Sequence, residues 1–388
     1  MTVARQARDG PVSHSWQERD PERATYPSAL NSEQPLNIDR ILQRGSRLLI
    51  ALAAVTLVAE ADAQTTVDGV IFATYRYGLT KDSSFASPAA PNNFDIDRSY
   101  VNVRSKLDGG FASRITLDVD GRRAASNQLT IRVKYAYATW KPEGSALTWK
   151  LGMQPTPVLP WQDDLWGYRF QGTSPLDRTG YMSTSDFGAA VEGAWMDQGV
   201  NLDVGIFNGE TYSRAPGDNH KDVAGRLSVR LLKSDDATDK GGLRLTGFAL
   251  VGKATGGADR LRTMGLLSYQ SKATTFGFEY SSTQDSTLAS SETKGRILAL
   301  FGTYNVPNSP VSLVGRLEKW DPNTDLNPAA FSAAASEQTR VLAGVAYRLA
   351  KNVRVMLDAD VTSVQNGPAN NAFQAANRSL YFHAEIKY

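Results

Sequence analysis

Beyond residue 63 the chain carries two histidines, His220 and His383, and it has no cysteine. A serine hydrolase needs a serine within hydrogen-bond reach of a histidine that an acid orients. His383 lies beside Tyr381 and Glu385 on an alternating segment, and Ser228 and Ser268 are serines on comparable polar faces. Zinc sites draw on cysteines or on histidines at i, i+4, and neither pattern occurs. No glycine-rich loop follows a strand-like run and opens a helix-like one, which leaves nucleotide binding unsupported. Charge is the more informative pattern. Arg98, Arg104 and Lys106, then Arg114, then Arg132 and Lys134, then Lys150, sit at alternate positions in otherwise apolar runs. Asp163 and Asp164 follow in a segment rich in Pro and Trp. Such charges suit a wall facing water, where they guide ions and polar solutes rather than break bonds.

The elements carrying these charges repeat one pattern. Phe111, Ile115, Leu117 and Val119 fall on one face, against Arg114, Thr116, Asp118 and Asp120 on the other. Leu129, Ile131, Val133, Tyr135 and Tyr137 alternate with Thr130, Arg132, Lys134 and Ala136. Val353, Val355, Leu357, Ala359 and Val361 alternate with Arg354, Met356, Asp358 and Asp360. A helix, with its 3.6 period, would not hold these faces. The pattern predicts strands at 66–78, 94–107, 110–120, 128–141, 146–154, 185–195, 200–208, 221–231, 243–251, 260–270, 274–280, 294–304, 311–320, 337–348, 352–361 and 379–388. That is an all-β chain: a transmembrane antiparallel β-barrel of sixteen strands, with both ends on the same side.

The connections agree. Long outer loops at 79–93, 121–127, 155–184, 209–220, 252–259, 281–293, 321–336 and 362–378 alternate with short turns at 108–109, 142–145, 196–199, 232–242, 271–273, 305–310 and 349–351. Long extracellular loops and short periplasmic turns are the asymmetry of outer-membrane barrels. The turn at 232–242 is too long for that rule. Aromatics near strand ends (Tyr75, Tyr77, Tyr135, Tyr137, Trp149, Trp195, Phe276, Phe278, Tyr280, Tyr347 and Phe382) suit interfacial girdles. A soluble sandwich also alternates, but its core would not accept charge in mid-strand. No run of 18 apolar residues exists, which excludes a bundle of membrane helices.

Arg44 and Arg47 precede the apolar run Leu48–Val58, and Ala61-Asp-Ala63 follows it. Basic, apolar and small-residue regions in that order form a secretory signal, here 41–63. Residues 1–40, rich in Pro, Ser, Glu and Arg, read as a disordered leader or a mis-called start. The barrel is expected over 64–388. That part has 35 basic and 32 acidic residues, too even a balance for a nucleic-acid partner.

The chain ends Ser379-Leu-Tyr-Phe-His-Ala-Glu-Ile-Lys-Tyr388, with Leu380, Phe382, Ala384, Ile386 and Tyr388 on one face. This is similar to the terminal strand that the barrel assembly machinery reads in outer-membrane proteins. Gly205-Ile-Phe-Asn-Gly-Glu210, Asp222-Val-Ala-Gly-Arg226 and Val314-Gly-Arg-Leu-Glu-Lys-Trp-Asp321 resemble motifs of bacterial porins of the phosphate-selective porin O/P-like family. The resemblance implies a sixteen-stranded channel in the outer membrane of a Gram-negative bacterium, usually trimeric. It also implies passive diffusion of small polar or anionic solutes, and no cofactor. A rim or lumen hydrolase of lipids or esters, or an adhesin or receptor acting through its loops, is the alternative.

In porins the third outer loop typically turns inward, and here that loop is the longest, 155–184. Its Trp161, Trp166, Tyr168 and Phe170 offer bulk to pack on a wall. Adjacent strands lie about 4.8 Å apart, so Arg98, Arg104, Lys106, Arg114, Arg132, Lys134 and Lys150 should form one patch. The patch is expected to face Asp163 and Asp164 across a constriction, giving a transverse field that favours small anions. Otherwise these cations are wall charges paired with lumen acids such as Asp118, Asp186, Glu192 and Asp203.

Overall fold

The computed structural model describes residues 64–80, 90–120, 129–215, 217–254, 257–286, 292–325, 337–365 and 377–388. The segments read as leader and signal lie outside these residues, as do most residues of the loops expected at 79–93, 121–127, 321–336 and 362–378. Sixteen strands follow one another: β1 Thr65–Gly78, β2 Asn92–Lys106, β3 Phe111–Asp120, β4 Thr130–Trp140, β5 Leu147–Pro155, β6 Ser185–Trp195, β7 Val200–Phe207 and β8 Asp222–Leu232. They continue as β9 Gly242–Lys253, β10 Asp259–Gln270, β11 Thr274–Ser286, β12 Glu292–Asn305, β13 Val311–Asp321, β14 Glu337–Ala350, β15 Val353–Gln365 and β16 Asn377–Lys387. Each pairs antiparallel with its neighbours in sequence, and β1 closes on β16 from Val70↔Lys387 to Gly78↔Ser379. Closure leaves no sheet edge, which a sheet in hydrocarbon requires because no water is there to bond orphan backbone groups. Among the described residues two further pieces are α-helical, α1 Leu159–Trp166 and α2 Pro175–Arg178, and Asp108–Gly110 makes a single 3-10 turn.

All sixteen predicted strands are present. β11 runs to Ser286 and β15 to Gln365, past the loop starts read at 281 and 362. Both extensions consist mostly of polar residues, Ser281-Ser-Thr-Gln-Asp-Ser286 and Thr362-Ser-Val-Gln365. Turn-like composition marked them as loop, yet a barrel rim standing in water tolerates polar side chains on both faces.

The outer face is apolar. Leu151, Ile206, Leu245, Leu267, Leu300, Leu317, Val345 and Leu357 all point outward and stand exposed. Phe111 stacks on Trp140 at the short-turn end, with ring centroids 5.9 Å apart, and Tyr75 packs on Phe94 at the opposite end, 4.6 Å apart. Leu300 sits between Phe278 and Leu317 in the middle of the band. Leu300→Arg is expected to cost about 2–4 kcal/mol, the range for a basic residue on the lipid face near the midplane. Urea titration of the lipid-embedded barrel measures it.

One irregularity redirects the interior. The β3–β4 register slips between Thr116 and Leu117, so that Thr116 pairs with Tyr135 and Leu117 with Val133. Lys134 is the extra residue of this bulge, and below it the faces exchange. Tyr135 and Tyr137 therefore point into the barrel, not into an interfacial girdle as their alternation with Ile131 and Val133 predicted. Trp140 takes the outward position.

Candidate functional site: an eyelet between the β2–β5 wall and an inserted loop

The segment 156–184 leaves β5, crosses the barrel and packs on the opposite wall. Pro160 stands in the first turn of α1, where a missing N–H costs nothing, and Gly167 ends the helix with φ 72 and its N–H on the Asp163 carbonyl at 3.0 Å. Leu159, Leu165, Trp166, Tyr168, Phe170 and Leu176 are buried against Met264, Leu266, Ile297, Phe301, Val314, Leu342 and Met356. Each such side chain contributes about 1.5–3 kcal/mol relative to exposure. The inner wall of β10–β15 thus carries an apolar patch among its buried charges, rather than being polar throughout as a plain water-filled lumen would have it. The sequence does carry the signal: Ile297-Leu-Ala-Leu-Phe301 is apolar on both faces, so something other than water must cover the inner one.

Charged groups pin the same loop. Arg226 Nε donates to the Pro157 carbonyl at 2.7 Å, and its guanidinium lies 3.9 Å from the Trp161 ring centroid. Arg354 donates to the Gly167 carbonyl at 2.8 Å. Gln162 donates to Glu279 at 2.8 Å. Glu318 is fully buried and meets Arg178 of α2 at 2.6 Å, Arg316 at 2.5 Å and Arg340 at 3.8 Å. Arg340 also binds Asp360 at 2.5 Å. The sequence does not mark these arginines as site residues. All but Arg178 lie on separate strands, and the loop that gathers them has no helical or strand period to place it.

The long turn 233–241 has a related explanation. It brings Lys240 Nζ to 3.6 Å from Asp164 and 4.7 Å from the Trp161 ring centroid, so it supports the inserted loop from the short-turn end.

The predicted site residues divide. Arg98 binds Asp118 at 2.5 Å, Arg104 binds Asp68, and Lys150 binds Asp203 at 2.8 Å and Glu192 at 3.1 Å. Arg132 stands directly across from Asp118 in the β3–β4 register, and Lys106 is exposed at the short-turn rim. Arg114 donates to Asn102 and Thr116, at 2.9 and 3.0 Å, and lies over Tyr135 at 4.6 Å. Lys134, 5% exposed, donates to the Tyr100 hydroxyl at 3.0 Å and lies over that ring at 4.6 Å. Among the described residues, neither Arg114 nor Lys134 is in ion-pair contact with a carboxylate.

The two acids do not stand together opposite the patch. Asp163 turns into its own loop, accepting from Arg169 Nε and the Ser174 N–H, both at 3.0 Å. Asp164 faces the turn 233–241 instead. Burial raises the Asp164 carboxyl above its usual range, with Lys240 acting against it. Burial likewise raises Asp177 of α2, opposed chiefly by Arg169. Burial pulls the Arg169 guanidinium down, but Tyr100, Asp163 and Asp177 together raise it.

Two cavities flank the loop. The one toward the long connections is about 750 Å³ and is lined by Arg98, Lys134, Arg169, Asp177, Tyr181 and Tyr212 among others. The one toward the short turns is about 400 Å³ and is lined by Tyr137, Lys150, Trp161, Glu192, Asp203 and Lys240 among others. Thr156 borders both. The arrangement can sort solutes by size and charge.

The hydrolase candidates are not brought together. His383 contacts Thr74 at 3.0 Å and Asp358 at 3.2 Å, while Ser228 contacts Thr246 at 2.9 Å and Arg244 at 3.5 Å. No group of three metal-ligating side chains occurs among the described residues.

The barrel is similar to solved outer-membrane proteins. An anion-selective porin from Comamonas acidovorans aligns with a TM-score of 0.60 at 12% identity, covering 84% of this chain and 100% of the other. OmpF of Salmonella typhi, in complex with daunomycin, aligns at 0.59 and 13% identity, covering 84% and 97%. In-vitro folded OmpT of Vibrio cholerae, in its trimer form, aligns at 0.55 and 15% identity, covering 84% and 99%. At these identities the likeness is one of fold, and the fold is that of the porins. No protein-family model and no curated protein sequence matches the chain.

Proposed function

We propose that this chain is a porin of the Gram-negative outer membrane, a passive channel for small hydrophilic solutes with a lean toward anions. The observation that carries the reading is a closed barrel, apolar outside and charged inside, whose one long inserted loop leaves polar cavities on both sides. A barrel of sixteen strands is wide enough for an aqueous path. Lys134, which lines the larger cavity, and Arg114, beside it at the Tyr135 ring, support the anion lean. The finer assignment to phosphate-selective porins rests on the short motifs at 205–210, 222–226 and 314–321. A homotrimer, proposed on the precedent of the trimeric OmpT form, would bury part of the outer face, with lipid covering the rest. The strand ending at Tyr388 is the proposed recognition element for barrel assembly.

Planar-bilayer recording tests the function directly. A porin gives stable ohmic steps, and under a salt gradient the reversal potential takes the sign of chloride permeation. A purified, heat-modifiable barrel that gives no steps would overturn the channel.

A further inference from the structure

Residues 208–215 also fold into the barrel mouth, and we propose that this segment, through Tyr212, is a second constriction that limits which solutes pass by size. The proposal rests on the channel reading above and names a determinant of its selectivity.

β7 ends at Phe207, and the chain then turns inward. The Asn208 N–H donates to the Phe187 carbonyl at 2.8 Å, the Gly209 N–H to Asp186 at 2.8 Å, and the Tyr212 N–H to the Ser185 carbonyl at 3.2 Å. Three bonds thus fasten the segment to the start of β6. Gly209 has φ 98, a backbone conformation that favours glycine. Thr211 has φ 73, a left-handed value that a β-branched residue rarely adopts. That turn aims Tyr212 across the mouth toward β2 and β3. Its hydroxyl donates to Asp118 at 3.3 Å, and Arg98 donates to it at 3.5 Å.

The position matters more than the bonds. The larger cavity is bounded by Gly209–Arg214 on one side and by Arg169, Asp177, Arg178 and Tyr181 of the inserted loop on the other. A solute entering from the long-connection end meets Tyr212 before it reaches Lys134. The two hydroxyl contacts are long, so the ring is held in place without being locked. A planar ring with few rotamers takes up cross-section at little entropic cost and acts as a sieve. Removing the ring widens the passage, whereas removing only the hydroxyl leaves most of its bulk.

The test uses the full chain in planar bilayers and proteoliposomes, with arabinose and raffinose as small and large probes. Tyr212→Ala is expected to raise single-channel conductance about 1.5- to 2-fold and raffinose entry several-fold over arabinose. Tyr212→Phe should stay close to the unaltered protein. Because the sequence has no cysteine, Tyr212→Cys carries a single thiol. A bulky methanethiosulfonate added from the long-connection side should lower its current in discrete steps. Unchanged conductance and raffinose exclusion in Tyr212→Ala overturns the proposal while leaving the channel intact. So does a Tyr212→Cys current unaffected by labelling that mass spectrometry confirms. The thiol variant decides the matter if the alanine variant does not assemble. Absence of any current in the unaltered protein overturns the channel reading, and this proposal with it.

Discussion

Glu318→Ala is expected to destabilise the barrel by about 3–5 kcal/mol, the cost of breaking a buried ion pair by removing one partner. Glu318 is the only acid that Arg178 and Arg316 contact among the described ion pairs, and it also neutralises Arg340. Arg340 keeps Asp360, and Arg316 keeps the face of Trp166 at 5.2 Å. Among the described residues Arg178 keeps no comparable side-chain partner. Its loss of partner should free α2 and with it the far end of the inserted loop. Two measurements follow: the urea midpoint falls, and open-channel current becomes noisier as the eyelet fluctuates. Glu318→Leu combined with Arg316→Met and Arg178→Met should recover much of the stability, because apolar residues of similar volume are often neutral when they replace a buried charge cluster. A quiet current and an unmoved midpoint in Glu318→Ala would mean that apolar packing alone fixes the loop.

Neutralising Arg114 and Lys134 together, as Arg114→Gln/Lys134→Gln, should lower the chloride-over-potassium permeability ratio several-fold. The choice follows from pairing. Removing Arg98 or Lys150 would unmask Asp118 or Asp203 and mix two effects. Arg114 and Lys134 contact amide, hydroxyl and ring groups, and among the described residues neither forms an ion pair whose acid its removal would unmask. The effect should shrink in 1 M salt, where the screening length is about 3 Å. A reversal potential identical to that of the unaltered protein would remove the basis for the anion lean.

Strand placement was legible because barrel strands obey a rule the sequence must satisfy residue by residue: lipid on one face, water or packing on the other. Even short strands such as β7, Val200–Phe207, declared themselves. Three features did not. The bulge at Lys134 adds one residue and reverses the faces below it, so alternation counted through Leu129–Tyr137 sent Tyr135 and Tyr137 the wrong way. The polar extensions of β11 and β15 read as loop because a rim in water imposes no apolar face. The eyelet depends on a loop without period, and its partners, Arg178 with Glu318 and Arg226 with Pro157, are separated by long stretches of sequence. The apolar character of the loop was visible, as was that of both faces of Ile297–Phe301. Their contact was not.

Fifteen of the sixteen strand pairings join neighbours in sequence, and one joins the two ends, where Gly69 and Tyr388 exchange hydrogen bonds of 3.0 and 3.1 Å. Hairpins of low sequence separation close quickly, while the last seam waits on the whole chain. Loss of the whole of β16 would leave each remaining hairpin able to zip but strand the ribbon as an open sheet with two unsatisfied margins. Such margins are templates for aggregation, so the seam between the two ends is the pairing on which a closed, insertable barrel depends.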